Sequence, residues 1–405
     1  MKDSDVPVDD TALVGVRVLD IGQHIAGPYC ARLLADQGAD VIKIERPGRG
    51  DPLRGVAPFV GDDAHPEKGL TFLYLNYNKR SVALDLEAER GRDVLLDLVR
   101  HADILVENYE PAYLPSLGLD YATLAAANPR LIVTSISHFG RTGPRRNWHG
   151  GDLIDYAASG AMSISGTAER EPLKHGQFQS GFVGGLAGVI PTLAALYMRD
   201  FTGHGQHIDV SIAEALASTL VMSIPYYTYM GETQRRRDSA GGSYGNPAPA
   251  RDGWVIPHAT RNREWNDFCT IVNEPRLMDP KYSSSKGRIE NAEEMDRLLG
   301  AALLKIDRFD LFHRANQKRL LCGVVQTPRD LATCEQLAAR GFFREIDHPV
   351  AGRLRFPGPT FNASDGGFTL RRRPPLLGEH NEEVLGDLLG YGEAKRRTLA
   401  EGTVP

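Results

Sequence analysis

The chain opens with strand-like and helix-like segments in strict alternation, and this constrains its fold more than any other feature. Val16–Ile21 is a β-branched run that Gly22 ends. The stretch from Gly27 to Gln37 places Cys30, Leu33 and Leu34 on one helical face, and Gly38 stops it. Asp40–Glu45 is the next strand. A strand, a helix and a strand within about thirty residues make a βαβ unit with parallel strands. The pattern recurs: Ser81–Leu86 is extended, Gly91–Arg100 helical, Asp103–Glu107 a strand, Tyr121–Ala127 a helix and Leu131–Ser137 a strand. The spacing predicts an α/β fold with a Rossmann-like, doubly wound parallel sheet.

From Gly150 the texture changes. Asp152–Gly160 and Gly181–Arg199 read as helices rich in Gly and Ala, and Gln206–Val210 as a strand followed by a helix through Glu214. The polar, Gly-rich stretch Tyr226–Asn246 reads as a linker. Gly253–Pro257 and Trp265–Val272 begin a smaller α+β unit, and Glu382–Leu389 forms a final amphipathic helix. The expected division is residues 1–225 as the first part of a large domain, 226–327 as linker and small domain, and 328–405 as a return to the large domain.

With 47 Lys+Arg against 52 Asp+Glu, the net charge of -5 argues against a nucleic-acid surface. The longest apolar stretch, Phe182–Met198, is Gly-rich and carries Pro191, so no membrane span is expected. Four cysteines without a CxxC pair make neither a disulfide framework nor a metal site. The composition predicts a soluble, cytoplasmic enzyme. Its Rossmann-like half nevertheless lacks a dinucleotide fingerprint: the first strand is followed by Gly22-Gln23-His24-Ile25-Ala26-Gly27-Pro28, with no GxGxxG. No P-loop, GxSxG or HExxH motif occurs.

Open α/β sheets bind ligands at the carboxyl ends of their strands. Gln23 and His24 follow the first strand, Arg46 the second, and Asn108 and Tyr109 the fourth. Arg46 has the chemistry to stack on an adenine or pair with a phosphate, and Tyr109 to flank a base. The alternative is that Arg46 pairs with Glu45 or Asp51 and Tyr109 simply packs.

Gly15–Asp20, Ala26-Gly27-Pro28, the run Gly38–Pro47, Gly50-Asp51, Asn78–Ser81, Val106–Tyr109, the stretch from Gly203 to Asp209, and Pro375–His380 together resemble the class III CoA-transferase family. This family groups formyl-CoA transferases, carnitine CoA-transferases (CaiB/BaiF-like) and α-methylacyl-CoA racemases. The resemblance implies a large domain built from both termini, an inserted small domain and an interlocked dimer. It also implies coenzyme A or an acyl-CoA as substrate, no permanently bound cofactor and no metal. CoA binding falls along Gln23, His24, Ala26, Arg46, Leu84, Asn108, Tyr109 and Leu117.

Family transferases carry a nucleophilic Asp at the start of the helix that here begins near Gly181. That carboxylate attacks the thioester, forms a mixed anhydride and becomes an aspartyl-CoA thioester. In this chain the position falls on Gly181, or on Ser180 with one residue of slack, and the run Gly176–Val183 holds no carboxylate. The racemase pattern breaks as well, because the His expected before Asp152 is Gly151, with His149 two residues earlier. Asp152 is retained and is expected to cap its own helix. Ser116, Glu87 and Ser137 stand where the family often places basic or long polar groups, with Arg141, Arg145 and Arg146 nearby.

Three expectations follow. The first, and favoured, is a subunit lacking the nucleophilic Asp of a heteromeric CoA-transferase that moves CoA between an acyl-CoA and a carboxylic acid. The family includes such a two-subunit case, succinyl-CoA:(R)-benzylsuccinate CoA-transferase. The partner is then a paralogous catalytic subunit, with a second copy of this chain as the alternative. In the second, a homodimeric transferase or racemase uses Asp152, Asp155 or Glu214. In the third, the chain binds a CoA ester without turnover.

Overall fold

The computed structural model describes residues 11–236, 245–258, 264–368 and 370–396. Two compact units divide the chain: Met1–Ser165, Pro172–Gln234 and Gly341–Pro405 make the first, and Gly166–Glu171 with Arg235–Arg340 the second.

The first unit is built on a six-stranded sheet. In chain order its elements are β1 (Arg17–Asp20), α1 (Ala26–Asp36), β2 (Asp40–Glu45), α2 (Leu70–Asn76), β3 (Lys79–Ala83), α3 (Glu89–Val99), β4 (Ile104–Glu107), α4 (Tyr113–Ser116), α5 (Tyr121–Ala127), β5 (Ile132–Ser137), α6 (Asp152–Ala158), α7 (Gln179–Thr202), β6 (His207–Ser211), α8 (Ile212–Ala217) and α9 (Ser223–Met230). The strand order is β3-β2-β1-β4-β5-β6, and every pairing is parallel. The chain therefore starts in mid-sheet and winds outward both ways. The reversal falls between β1 and β4, where ligands bind in such sheets.

Helices cover both faces, which is why β4 and β5 are buried along their whole length. One core joins Leu19, Ile42, Val82 and Leu105 to α3 through Val94, Leu95 and Leu98. The other joins Val18, Val41, Ile104 and Ile132 to α1 and α7 through Cys30, Leu34 and Val189. The helix α7 is long and apolar enough, by length and composition, to cross a membrane. Here it packs beside α1 and β5, burying its small residues Gly184, Gly185, Gly188, Thr192 and Ala195, while Leu186, Ile190, Tyr197 and Phe201 stay exposed.

The chain returns to this unit at Gly341. An antiparallel hairpin, Phe343–His348 with Gly352–Pro357, packs through Leu354 and Phe356 on Leu73 and Tyr77. Pro374–His380 then docks on the edge strand β3. The His380 amide donates to Ser81 O at 2.9 Å, and the Gly378 amide donates to the Ser81 hydroxyl at 3.0 Å. The last apolar turns, Glu382–Leu388, form a π-helix whose Val384 and Leu385 join the first core.

In the second unit a three-stranded sheet (Ala248–Ala250, Gly253–Pro257 and Cys322–Val324) packs with helices Trp265–Val272, Ala292–Leu303 and Arg308–Gln317 around Trp265, Leu277, Tyr282 and Leu299. One expectation is corrected by the fold. Tyr226–Asn246 is not linker throughout, because Ser223–Met230 is helical; residues 237–244 lie outside the described residues. Its run of Tyr, Pro and Ser lacks an amphipathic stripe, so periodicity could not reveal it.

Candidate functional site

The loops after β1 and β2 are pinned by buried charges. Asp20 accepts from Lys79 Nζ at 2.8 Å, and Lys43 Nζ lies 3.0 Å from Asp51 Oδ2 and donates to Gly22 O at 2.9 Å. Burial alone would raise the Asp20 carboxyl, but Lys43 and Lys79 outweigh it and hold it below its ordinary value. Asp51 in turn accepts from the His24 amide at 3.2 Å and the Leu53 amide at 2.9 Å. His24 sits at φ 58°, a conformation costly for a residue with a Cβ, so the loop is held rather than relaxed.

Asn108 clamps the same turn. Its Oδ1 accepts from the Gln23 amide at 2.7 Å and its Nδ2 donates to Gln23 O at 2.9 Å. Both of its amide atoms serve the backbone, so Asn108 shapes the loop. Gln23 Nε2 donates to Tyr109 Oη at 3.2 Å, and Tyr109 lies against Tyr113 with ring centroids 4.6 Å apart.

Two hollows meet at this edge. The smaller is a cleft lined by Gln23, Arg46, Leu84, Glu87, Tyr109 and Tyr113. Arg46 pairs there with Glu87 at 2.6 Å, not with Glu45 or Asp51. Glu45 is instead held by Arg54, whose Nε and Nη2 donate to its two oxygens at 2.7 and 2.9 Å. The larger is a cavity of about 520 Å³ between the ends of β4 and β5 and the starts of α6 and α7. His24, Ala26, Asn108 and Tyr109 line it on one side, and His138, Asp152, Asp155, Ser180 and Gly181 on the other. Leu117 lines neither hollow and packs against the core; Ser116 is exposed, its hydroxyl donating to Tyr113 O at 2.6 Å.

Asp152 does not cap its own helix. Gly151 holds that place, and Asp152 Oδ1 accepts from the Ser180 amide at 2.9 Å while Oδ2 pairs with Lys174 at 2.6 Å. It therefore caps α7, the helix whose start faces the cavity. Asp155 is fully buried between Ser180 Oγ at 2.9 Å and His138 Nδ1 at 2.8 Å. Glu214 is exposed on α8 and does not line the cavity. Arg141 is bound to Glu107 at 2.9 Å and to Pro111 O at 3.0 Å, whereas Arg146 lines the cavity.

The first turn of α7 carries no carboxylate of its own; the acids that line the cavity beside it are Asp152 and Asp155. A Cβ on Gly181 would stand 2.9 Å from Ile25 Cβ, so a side chain there requires its neighbour to shift. Ser180 points its hydroxyl at Asp155, so an added carboxylate there would face a like charge.

Residues 13–381 match the family model described as CoA-transferase family III. The chain belongs to that family. It is 31% identical over 400 residues to succinyl-CoA:glutarate CoA-transferase of Mus musculus, covering 97% of this chain and 90% of that one. It is 33% identical over 409 residues to formyl-CoA:oxalate CoA-transferase of Rhodopseudomonas palustris, covering 95% of each. A CAIB/BAIF family protein from Brucella suis superimposes with a TM-score of 0.85 at 30% identity, over 94% of this chain and all of that one. A class III CoA-transferase activity is thereby supported, and the six-stranded parallel sheet is the architecture of such structures.

The pairing of His138 with Asp155 was not read from the sequence. The residues are 17 apart and meet only because α6 returns beside the end of β5. Its one advance signal was the placement of His138 just after a parallel strand.

Proposed function

We propose that this chain is a cytoplasmic CoA-transferase subunit that holds an acyl-CoA along the β1, β2 and β4 loops and lacks a nucleophilic Asp of its own. The adenine and phosphates would lie in the cleft of Gln23, Arg46, Leu84 and Tyr109, and the acyl group would enter the larger cavity past His24 and Ala26. CoA is thus a substrate and no resident cofactor is required. Ile25, Leu53, Val56, Ile136 and Ile212 give that cavity an apolar wall suited to an acyl chain.

The observation that carries the reading is the closed start of α7, where Gly181 abuts Ile25 and Ser180 is bound to Asp155. A transfer through an aspartyl anhydride then needs the carboxylate of another chain, as in an enzyme of the succinyl-CoA:benzylsuccinate type. We assign that role to a paralogous CoA-transferase subunit, interlocked with this one. Support comes from the exposed apolar side chains of α7 and α9, among them Tyr197, Phe201, Tyr227 and Tyr229, on the first unit. A monomer gains nothing by showing them to water.

Co-expression with the paralogue followed by native mass spectrometry and a CoA-transfer assay tests the reading. A heteromer that transfers CoA, beside an isolated chain that does not, is the expected result. Full transfer by this chain alone, with no gain from a partner, contradicts it.

A further inference from the structure

The cavity contains an acid–base group that the transferase reading leaves idle. His138 lines it and keeps 39% of its side chain exposed. Its Nδ1 faces the fully buried Asp155 at 2.8 Å, and the other Asp155 oxygen accepts the Ser180 hydroxyl at 2.9 Å. A carboxylate so buried demands donors, which places Nδ1 in the donor role and leaves Nε2 as the ring nitrogen that can act in the cavity. Among the described residues Nε2 has no protein partner. The ring has a place made for it, since a Cβ on Gly150 would come within 2.1 Å of His138 Cγ. Ser137, one residue earlier, adds to the same lining a buried hydroxyl without a protein partner.

The other acids here are committed. Asp152 serves Lys174 and the Ser180 amide, and His149 is tied to the exposed Glu110. His138 is the one cavity imidazole oriented by a buried carboxylate, an arrangement for activating one proton donor rather than for exchanging a proton between two faces of a carbon.

We propose that His138 is a general base that activates water against the thioester of an acyl-CoA in this cavity, with Asp155 as its positioning residue. The proposal rests on the acyl-CoA reading above. Nε2 takes a proton from water as the water oxygen bonds to the thioester carbon and the C=O pair moves onto oxygen. That pair returns as the C–S bond breaks, and the departing CoA thiolate recovers the proton from the His138 imidazolium. Acyl-CoA and water thus give a carboxylic acid and CoA, with no oxidant and no covalent enzyme intermediate.

The test uses the full chain and butyryl-CoA, with binding followed by calorimetry and CoA release by a thiol-reactive dye. His138→Ala is expected to bind butyryl-CoA as the wild type does and to release CoA about 100-fold more slowly, the scale of a general base. Added imidazole should restore part of that rate. Asp155→Asn is expected to lower kcat with little change in KM and to move the His138 proton to Nε2, read by ¹⁵N NMR. If butyryl-CoA binds but release is absent, or is the same in His138→Ala, the proposal is overturned. If butyryl-CoA does not bind, the acyl-CoA reading falls and the proposal with it.

Discussion

Gly181 and Ile25 meet so closely that a Cβ on the glycine would stand 2.9 Å from the isoleucine Cβ and 3.0 Å from its Cγ2. Ile25 is itself packed with Leu53, Phe72 and Leu75. A carboxylate at position 181 would therefore need Ile25 to shift as well.

Gly181→Asp should for this reason destabilise the chain by about 1–3 kcal/mol, the usual cost of overpacking, and should not confer transfer activity. Ile25→Gly, which removes both crowded atoms, should cost less in the Gly181→Asp background than in the wild type. Urea denaturation of the single and double variants measures both. An unchanged midpoint for Gly181→Asp would mean that Ile25 moves freely.

Arg46 and Glu87 are tied at 2.6 Å on an exposed edge, with 46% and 52% of their side chains accessible. On the proposed placement a CoA phosphate would compete with Glu87 for that guanidinium. Arg46→Ala should weaken CoA binding by about 1–3 kcal/mol through loss of a charged hydrogen bond. Glu87→Gln should strengthen it by freeing Arg46 and removing a like charge. Calorimetry reads both; equal affinities in all three proteins would remove Arg46 from the CoA site.

Glu45 ties the sheet to its surrounding loops. Burial alone would raise its carboxyl, but two Arg54 hydrogen bonds and their charge hold it below the ordinary 4.5. A carboxyl depressed by folding stabilises the protein fully above its unfolded pKa, and that contribution is lost as pH falls through the folded value. The midpoint of thermal unfolding should therefore decline with acid below pH 4.5. Glu45→Gln should flatten that decline and cost about 3 kcal/mol at neutral pH, because Arg54 is left buried with half its partners gone. Differential scanning calorimetry from pH 3 to 7 is the measurement, and identical slopes would contradict the assignment.

The strands were legible because each is a β-branched run bounded by glycine or a helical stripe, as in Asp40–Glu45 and Ile132–Ser137. Helices with an apolar face, such as Tyr121–Ala127 and Trp265–Val272, were equally plain. Helix α9 was not, because its apolar residues lie all round and none is buried. At the site, the loop residues Gln23, His24, Arg46 and Tyr109 could be placed by their position after strands. Their partners could not. Arg46 reaches Glu87 across 41 residues, and Asp152 caps a helix that starts 27 residues later. Such pairings belong to the tertiary fold and leave no local pattern.

The proposed reading requires that neither cavity carboxylate, Asp152 nor Asp155, attacks a thioester. Its most direct test is intact-mass spectrometry of the purified chain after incubation with an acyl-CoA, with and without hydroxylamine. The prediction is an unmodified mass under both conditions, and a CoA or acyl adduct only on the partner when a catalytically intact paralogue is present. A stoichiometric adduct on this chain, mapped to Asp152, Asp155 or Glu214, would contradict the account.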